Sequence, residues 1–179
     1  MFRELFRSHR RSGSYGNVYT KLLADAEATS SALEKKLGDV TGEVAGVLQG
    51  KLNSEADFPA WRSHMLGLIM KHNQELEAFM NNAKRDAIRM CEGLSKSDRA
   101  EASDRYRIWH EYVIAAVTAI VVFLQKAITA IVDHKKAAVA GATTSEADVR
   151  LAIKKWESDA MSAVRNAYHK ADAIFGRRL

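Results

Sequence analysis

Gly38-Asp-Val-Thr-Gly42-Glu-Val-Ala-Gly46-Val-Leu-Gln-Gly50-Lys-Leu52 carries four glycines at intervals of four, and its reading decides the fold. Read as a strand, it alternates almost perfectly. Gly, Val, Gly, Val, Gly, Leu, Gly and Leu fall on one side, and mostly polar residues from Asp39 to Lys51 fall on the other. Read as a helix, it places Val40, Val44 and Leu48 on a ridge beside Gly38, Gly42, Gly46 and Gly50. Glycine-rich strands pack poorly, and Val18, Leu22, Leu33 and Leu37 before the run, with Val47 inside it, continue a helical stripe. The helix reading therefore stands, from about Asn17 to about Leu52. The double pattern also marks a segment able to change structure.

Each glycine inside a helix costs about 1 kcal/mol relative to alanine, so four of them need a reason. One reason is close approach of a second helix into a flat groove walled by branched side chains. A tight contact inside the chain, beneath Trp61, Trp109 or Trp156, is one expectation, and self-association through a glycine zipper is the other. Asp39, Glu43 and Lys51 bar this short run from crossing a bilayer.

Outward from this stretch the chain keeps to helical periodicity. A single proline in 179 residues leaves room for long helices. Pro59 sits where it opens a helix, after Asp57 or Phe58 as cap, and that helix ends near Gly93. Another is expected from Ser97 to about Ala140. The last starts at Thr144 or Ser145, with Glu146 and Asp148 in its first turn, and stops at Gly176. Before all of these, Phe2, Leu5 and Phe6 face away from Arg3, Arg7, Arg10 and Arg11 on a short amphipathic helix, and Arg11–Gly16 reads as a loop. The expected fold is all-α: an elongated up-down four-helix bundle with a short N-terminal amphipathic helix. Residues 1–16 form that basic helix and linker, and residues 17–179 form one bundle domain.

The segment Tyr112–Val132 is apolar around most of its circumference, with Val113, Val117, Ile120, Val121 and Leu124 as packing or assembly residues. Lys126 inside it argues against a resident transmembrane helix. A central helix covered by three neighbours fits best, beside a helix covered in one state and exposed in another. The Met1–Arg11 helix is placed for a lipid interface, its aromatic and leucine side chains down and its arginines on phosphates.

No site chemistry emerges. A di-iron bundle needs Glu-x-x-His on facing helices, and no glutamate here has a histidine three residues later. His72, between Ile69 and Leu76 on an apolar stripe, reads as a hydrogen-bonded core histidine. His64, His110 and His134 have no partner at metal spacing. The glycines lack the lysine and hydroxyl of a phosphate loop. Cys91, the single cysteine, excludes an internal disulfide and sits at a helix end where the dipole disfavours a thiolate. No catalytic, cofactor-binding or metal residue is expected.

The net charge of +5 permits an acidic partner. Except at the two termini, the basic residues are interleaved with acids instead of gathered on one face, which argues against nucleic acid and favours anionic lipid, with a phosphate-binding arm of Arg3, Arg7, Arg10 and Arg11 as the alternative. No secretory signal is expected, which leaves a cytoplasmic or membrane-associated location, with signal-less export open. In architecture alone, and without a shared motif, such a bundle resembles helical pore-forming toxins and membrane-targeting executioner domains. The expected function is a non-enzymatic bundle that associates with itself and acts at a membrane. The alternatives are a soluble subunit of a shell, filament or secretion apparatus, and a helical adaptor or chaperone. No small-molecule substrate is evident.

Overall fold

In a computed structural model of the chain, the described backbone runs from residue 2 to residue 176 and the described side chains from residue 16 to residue 176. Four long helices follow one another: α1 (Phe2–Gln49), α2 (Phe58–Met90), α3 (Lys96–Val139) and α4 (Glu146–Ala171). Among the described residues there is no strand, so the glycine run is helical up to Gln49. The backbone of α1 is also continuous through Arg11–Gly16, where a loop was expected. The side chains of Phe2, Arg3, Leu5, Phe6, Arg7, Arg10 and Arg11, expected at a lipid interface, lie outside the described residues.

The starts of α2 and α4 follow their sequence signals, and α3 begins at Lys96, one residue before the expected Ser97. Pro59 occupies the first turn of α2, where its missing N–H costs nothing. The Ser95 and Ser145 side chains accept from the N–H groups of Asp98 and Asp148, at 3.3 and 3.2 Å. Gly141, at φ 75°, takes the left-handed conformation that ends α3. The end of α4 differs from expectation. A π-helical turn, Asp172–Gly176, replaces regular helix and carries Phe175 into the core, its ring 6.0 Å from that of Trp109.

Short connections make successive helices antiparallel. Lys36 of α1 pairs with Glu75 of α2. Lys135, near the end of α3, donates to the Gly50 carbonyl just past the end of α1, at 2.7 Å. Arg105, near the start of α3, donates to the Ile174 carbonyl at 3.2 Å. The result is an up-down four-helix bundle in which α3 packs against each of the other three helices, and α1 and α3 meet across its short diagonal.

Leu37, Val40, Val44 and Leu48 line the inner face of α1. Opposite them are Trp109, Val113, Val117, Ile120, Phe123, Leu124 and Ile131 of α3, all buried. Val121 is half-buried and packs on the margin of this core. Thus the apolar α3 segment supplies much of the bundle interior.

Trp109 ties the core together. Its ring is fully buried, and its indole N–H donates to the Ala167 carbonyl of α4 at 3.1 Å. Trp109→Ala is expected to lower unfolding free energy by about 3–5 kcal/mol. Trp109→Phe, which keeps a ring and loses the hydrogen bond, should cost roughly 1–2 kcal/mol. Urea unfolding followed by circular dichroism measures both.

Candidate functional site

The buried positions of α1 fix what its opposite side must present. With Leu33, Leu37, Val40, Val44 and Leu48 turned inward, Gly38, Gly42 and Gly46 are exposed. A Cβ added at any of the three meets nothing within 4 Å. Among the described residues the tight contact inside the chain is therefore not present. Trp109 packs towards α4 and Phe175, Trp156 lies under the Lys126 ammonium and Trp61 beside Phe58. The physical reason is angular: the glycine ridge starts one position beyond Leu37 and rotates away from the core as it climbs. Gly50 is separate, since it follows the last residue of α1 and its N–H closes the final turn on the Gly46 carbonyl at 3.0 Å.

The small-residue surface is longer than the glycine run. Ala24, Ala28, Ser31 and Ala32 are also exposed, so one smooth face extends from Ala24 to Gly46. At 1.5 Å per residue this is about 33 Å of helix. The sequence does show Ala24–Ala32 as poor in large side chains, and projecting it onto the α1 helix would have joined it to the glycines. Lys35 and Asp39 stand on the same face, and neither belongs to an ion pair among the described residues.

Beside this face lies a shallow hollow of about 580 Å³ between α1 and α2, whose lining includes Gly38, Asp39, Gly42, Glu43, Lys71 and His72. His72 is only 2% exposed, and its Nε2 lies 2.6 Å from a Glu43 oxygen. Because a carboxylate only accepts, Nε2 carries the proton in this contact. Nδ1 is buried without a hydrogen-bond partner, and the nearest Glu75 oxygen is 3.7 Å away. A hydrogen bond from Lys36 holds the Glu75 carboxyl below the usual carboxylate range. Lys71 approaches Glu43 at 3.8 Å. The histidine is thus the hydrogen-bonded core residue that its stripe position implies. A carboxylate orients it as in a base–orienter couple, but no side chain is within hydrogen-bonding reach of Nδ1 to be activated.

A second polar cluster sits between α1, α2 and α3. Burial raises the Asp25 carboxyl above its ordinary range, and the negative charge of Asp86 raises it further. Burial likewise pushes the Tyr106 phenol far up, helped by Asp25 and Asp86. Asp25 Oδ2 and the Tyr106 hydroxyl both lack a partner. Burial also raises the Cys91 thiol, with Arg99 opposing the shift, so the thiolate is disfavoured as its place in the chain implies. Among the described residues no group of three metal-ligating side chains comes together.

On the opposite side of the bundle, α3 leaves Ile108, Ile114 and Val122 exposed. No charged residue occurs between Tyr112 and Leu124. By length and composition α3 is able to cross a membrane, with a mean hydropathy of 2.1 in its most apolar window. A bundle's core helix has the same composition, and 44% of that window is buried here.

No protein-family model, curated protein or solved structure matches the chain.

Two outcomes follow from these surfaces. Since space is open at Gly42, Gly42→Ala is expected to stabilise the isolated chain by about 1 kcal/mol, measurable by urea unfolding in dilute solution. For Asp25, whose folded pKa is raised, folding favours the protonated acid. That contribution is complete below the unfolded value of 3.8 and is lost as pH rises through the folded value. Asp25→Asn should therefore raise the melting temperature at pH 7. Its advantage over the parent should shrink as pH falls towards 3.8, as a paired series of thermal melts would show.

Proposed function

We propose that this chain is a non-enzymatic helical bundle that associates with copies of itself and acts at a membrane surface. The observation that carries the reading is the outer face of α1. Three exposed glycines inside a helix cost on the order of 3 kcal/mol in total relative to alanine, and among the described residues no contact uses their lack of side chains. What they offer is a backbone that a further helix can approach closely. The cost is then met by an interaction between chains.

The membrane part of the reading is supported by α3. Its outer surface around Ile114 and Val122 is apolar and free of charge over more than three turns. The N-terminal sequence, with Phe2, Leu5 and Phe6 opposite four arginines, adds a second segment of the kind that binds anionic headgroups. A soluble structural subunit is the competing reading, because further copies of the chain would cover the same α3 surface.

Light scattering combined with vesicle flotation separates these readings. The chain should exceed its monomer mass of 19.9 kDa in a concentration-dependent way, and Gly42→Leu should return it to monomer while the helix content is kept. Flotation with anionic vesicles should fall in Ile114→Glu plus Val122→Glu and in Phe2→Glu plus Phe6→Glu. A large assembly indifferent to lipid would replace the membrane reading with the structural one. A lipid-indifferent monomer at every concentration would overturn both.

A further inference from the structure

Resting on self-association as the use of α1, we infer that two chains join through this face antiparallel, with Lys35 of each chain opposite Asp39 of the other. Both residues are exposed, oppositely charged and one turn apart, and neither belongs to an ion pair among the described residues. A parallel pairing in register puts Lys35 against Lys35 and Asp39 against Asp39, two repulsions. The antiparallel pairing centred between them converts both into attractions, and a two-fold axis makes each occur twice.

The same register matches size along the helix. Ala32 falls opposite Gly42, and Ala28 opposite Gly46, so the backbones meet small residues on both sides of the axis. All four positions are exposed and carry no more than a methyl group. Contact between such ridges allows closer approach than the usual 8–10 Å between helix axes.

The hollow beside the stripe is lined by Asp39, Glu43 and Glu75 against Lys36 and Lys71, and Asp39 is the carboxylate that no lysine there engages. His72 is buried at its floor, with Nε2 2.6 Å from a Glu43 oxygen and Nδ1 3.7 Å from a Glu75 oxygen. Asp39 lines that hollow together with His72. The second copy's Lys35, reaching Asp39, brings an ammonium to the edge of that hollow. Among the described residues no lysine lining the hollow takes this place: Lys36 is engaged by Glu75, and Lys71 leans on Glu43.

Charge reversal tests the register without touching the core. Lys35→Asp and Asp39→Lys should each weaken self-association by roughly tenfold or more, as two modest attractions become two repulsions. Circular dichroism should show unchanged helix content for both. An equimolar mixture of the two variants should recover association, since every facing pair is again opposite in charge. The double variant Lys35→Asp plus Asp39→Lys should recover it alone. Sedimentation velocity reads all four. Parent-like association of either single variant, or failure of the mixture to recover, would overturn the register while leaving self-association standing.

A second measurement is independent of charge. In a Cys91→Ser background, an oxidised mixture of Ala28→Cys and Gly46→Cys chains should yield a crosslinked heterodimer, whereas Gly42→Cys alone should not crosslink efficiently. The reverse pattern means a parallel pair and overturns the inference. A parent chain that is monomeric throughout, with Gly42→Leu abolishing flotation, would assign the face to lipid and overturn both this inference and the reading beneath it.

Discussion

Burial of α3 against all three other helices is the constraint on which the rest of the molecule depends. Trp109, Val113, Ile120, Leu124 and Ile131 are completely enclosed, and the short diagonal between α3 and α1 brings them against Leu37, Val40 and Val44. Once those positions of α1 face inward, helical periodicity leaves no freedom for the others. Gly38, Gly42 and Gly46, together with Ala24, Ala28 and Ala32, must face out. The exposed small-residue face is thus a consequence of the core.

That consequence inverts the usual account of a glycine inside a helix. Close approach within the fold would have made Gly42→Ala destabilising through overpacking. Open space makes the same change favourable to the isolated chain, because only the backbone entropy and propensity terms remain. A position where the present residue is worse for the fold than its simplest substitute is one where stability and use pull apart. The Asp25–Tyr106 cluster is of the same kind. Asp25 Oδ2 and the Tyr106 hydroxyl are buried without a hydrogen-bond partner, an arrangement that costs the fold stability.

Much of the fold was legible in the sequence because its signals are local. Pro59, Ser145 and Gly141 mark helix ends through their own backbone and side-chain chemistry, and the structure places the ends within a few residues of them, whereas α3 opens on Ser95, just before the expected Ser97. The apolar run Tyr112–Leu124 announced a helix covered by neighbours. The expected loop at Arg11–Gly16 did not appear, since serine and glycine lower helix propensity without forbidding helix. The candidate site was less legible. Whether a glycine stripe faces in or out depends on which ridge wins the core, and valines and glycines alternate along the same stretch. The Glu43–His72 contact joins residues 29 apart in the chain. Only the antiparallel packing of α1 and α2 brings them together.

The faces of α1 and α3 lie at opposite ends of the bundle's short diagonal, and this geometry links the two readings of function. A pair of chains joined through α1 turns its two α3 surfaces to opposite outer sides. One flat bilayer can then meet only one of them unless the pair is strongly tilted. A membrane role for such a pair therefore requires the other α3 surface to remain exposed, to be covered by part of the chain or another protein, or to meet a second bilayer. If each α3 surface instead meets the α3 of a further pair, the two contacts alternate without closing and the chain builds a row. The difference between a membrane protein and a filament subunit thus reduces, for this bundle, to what covers Ile114 and Val122.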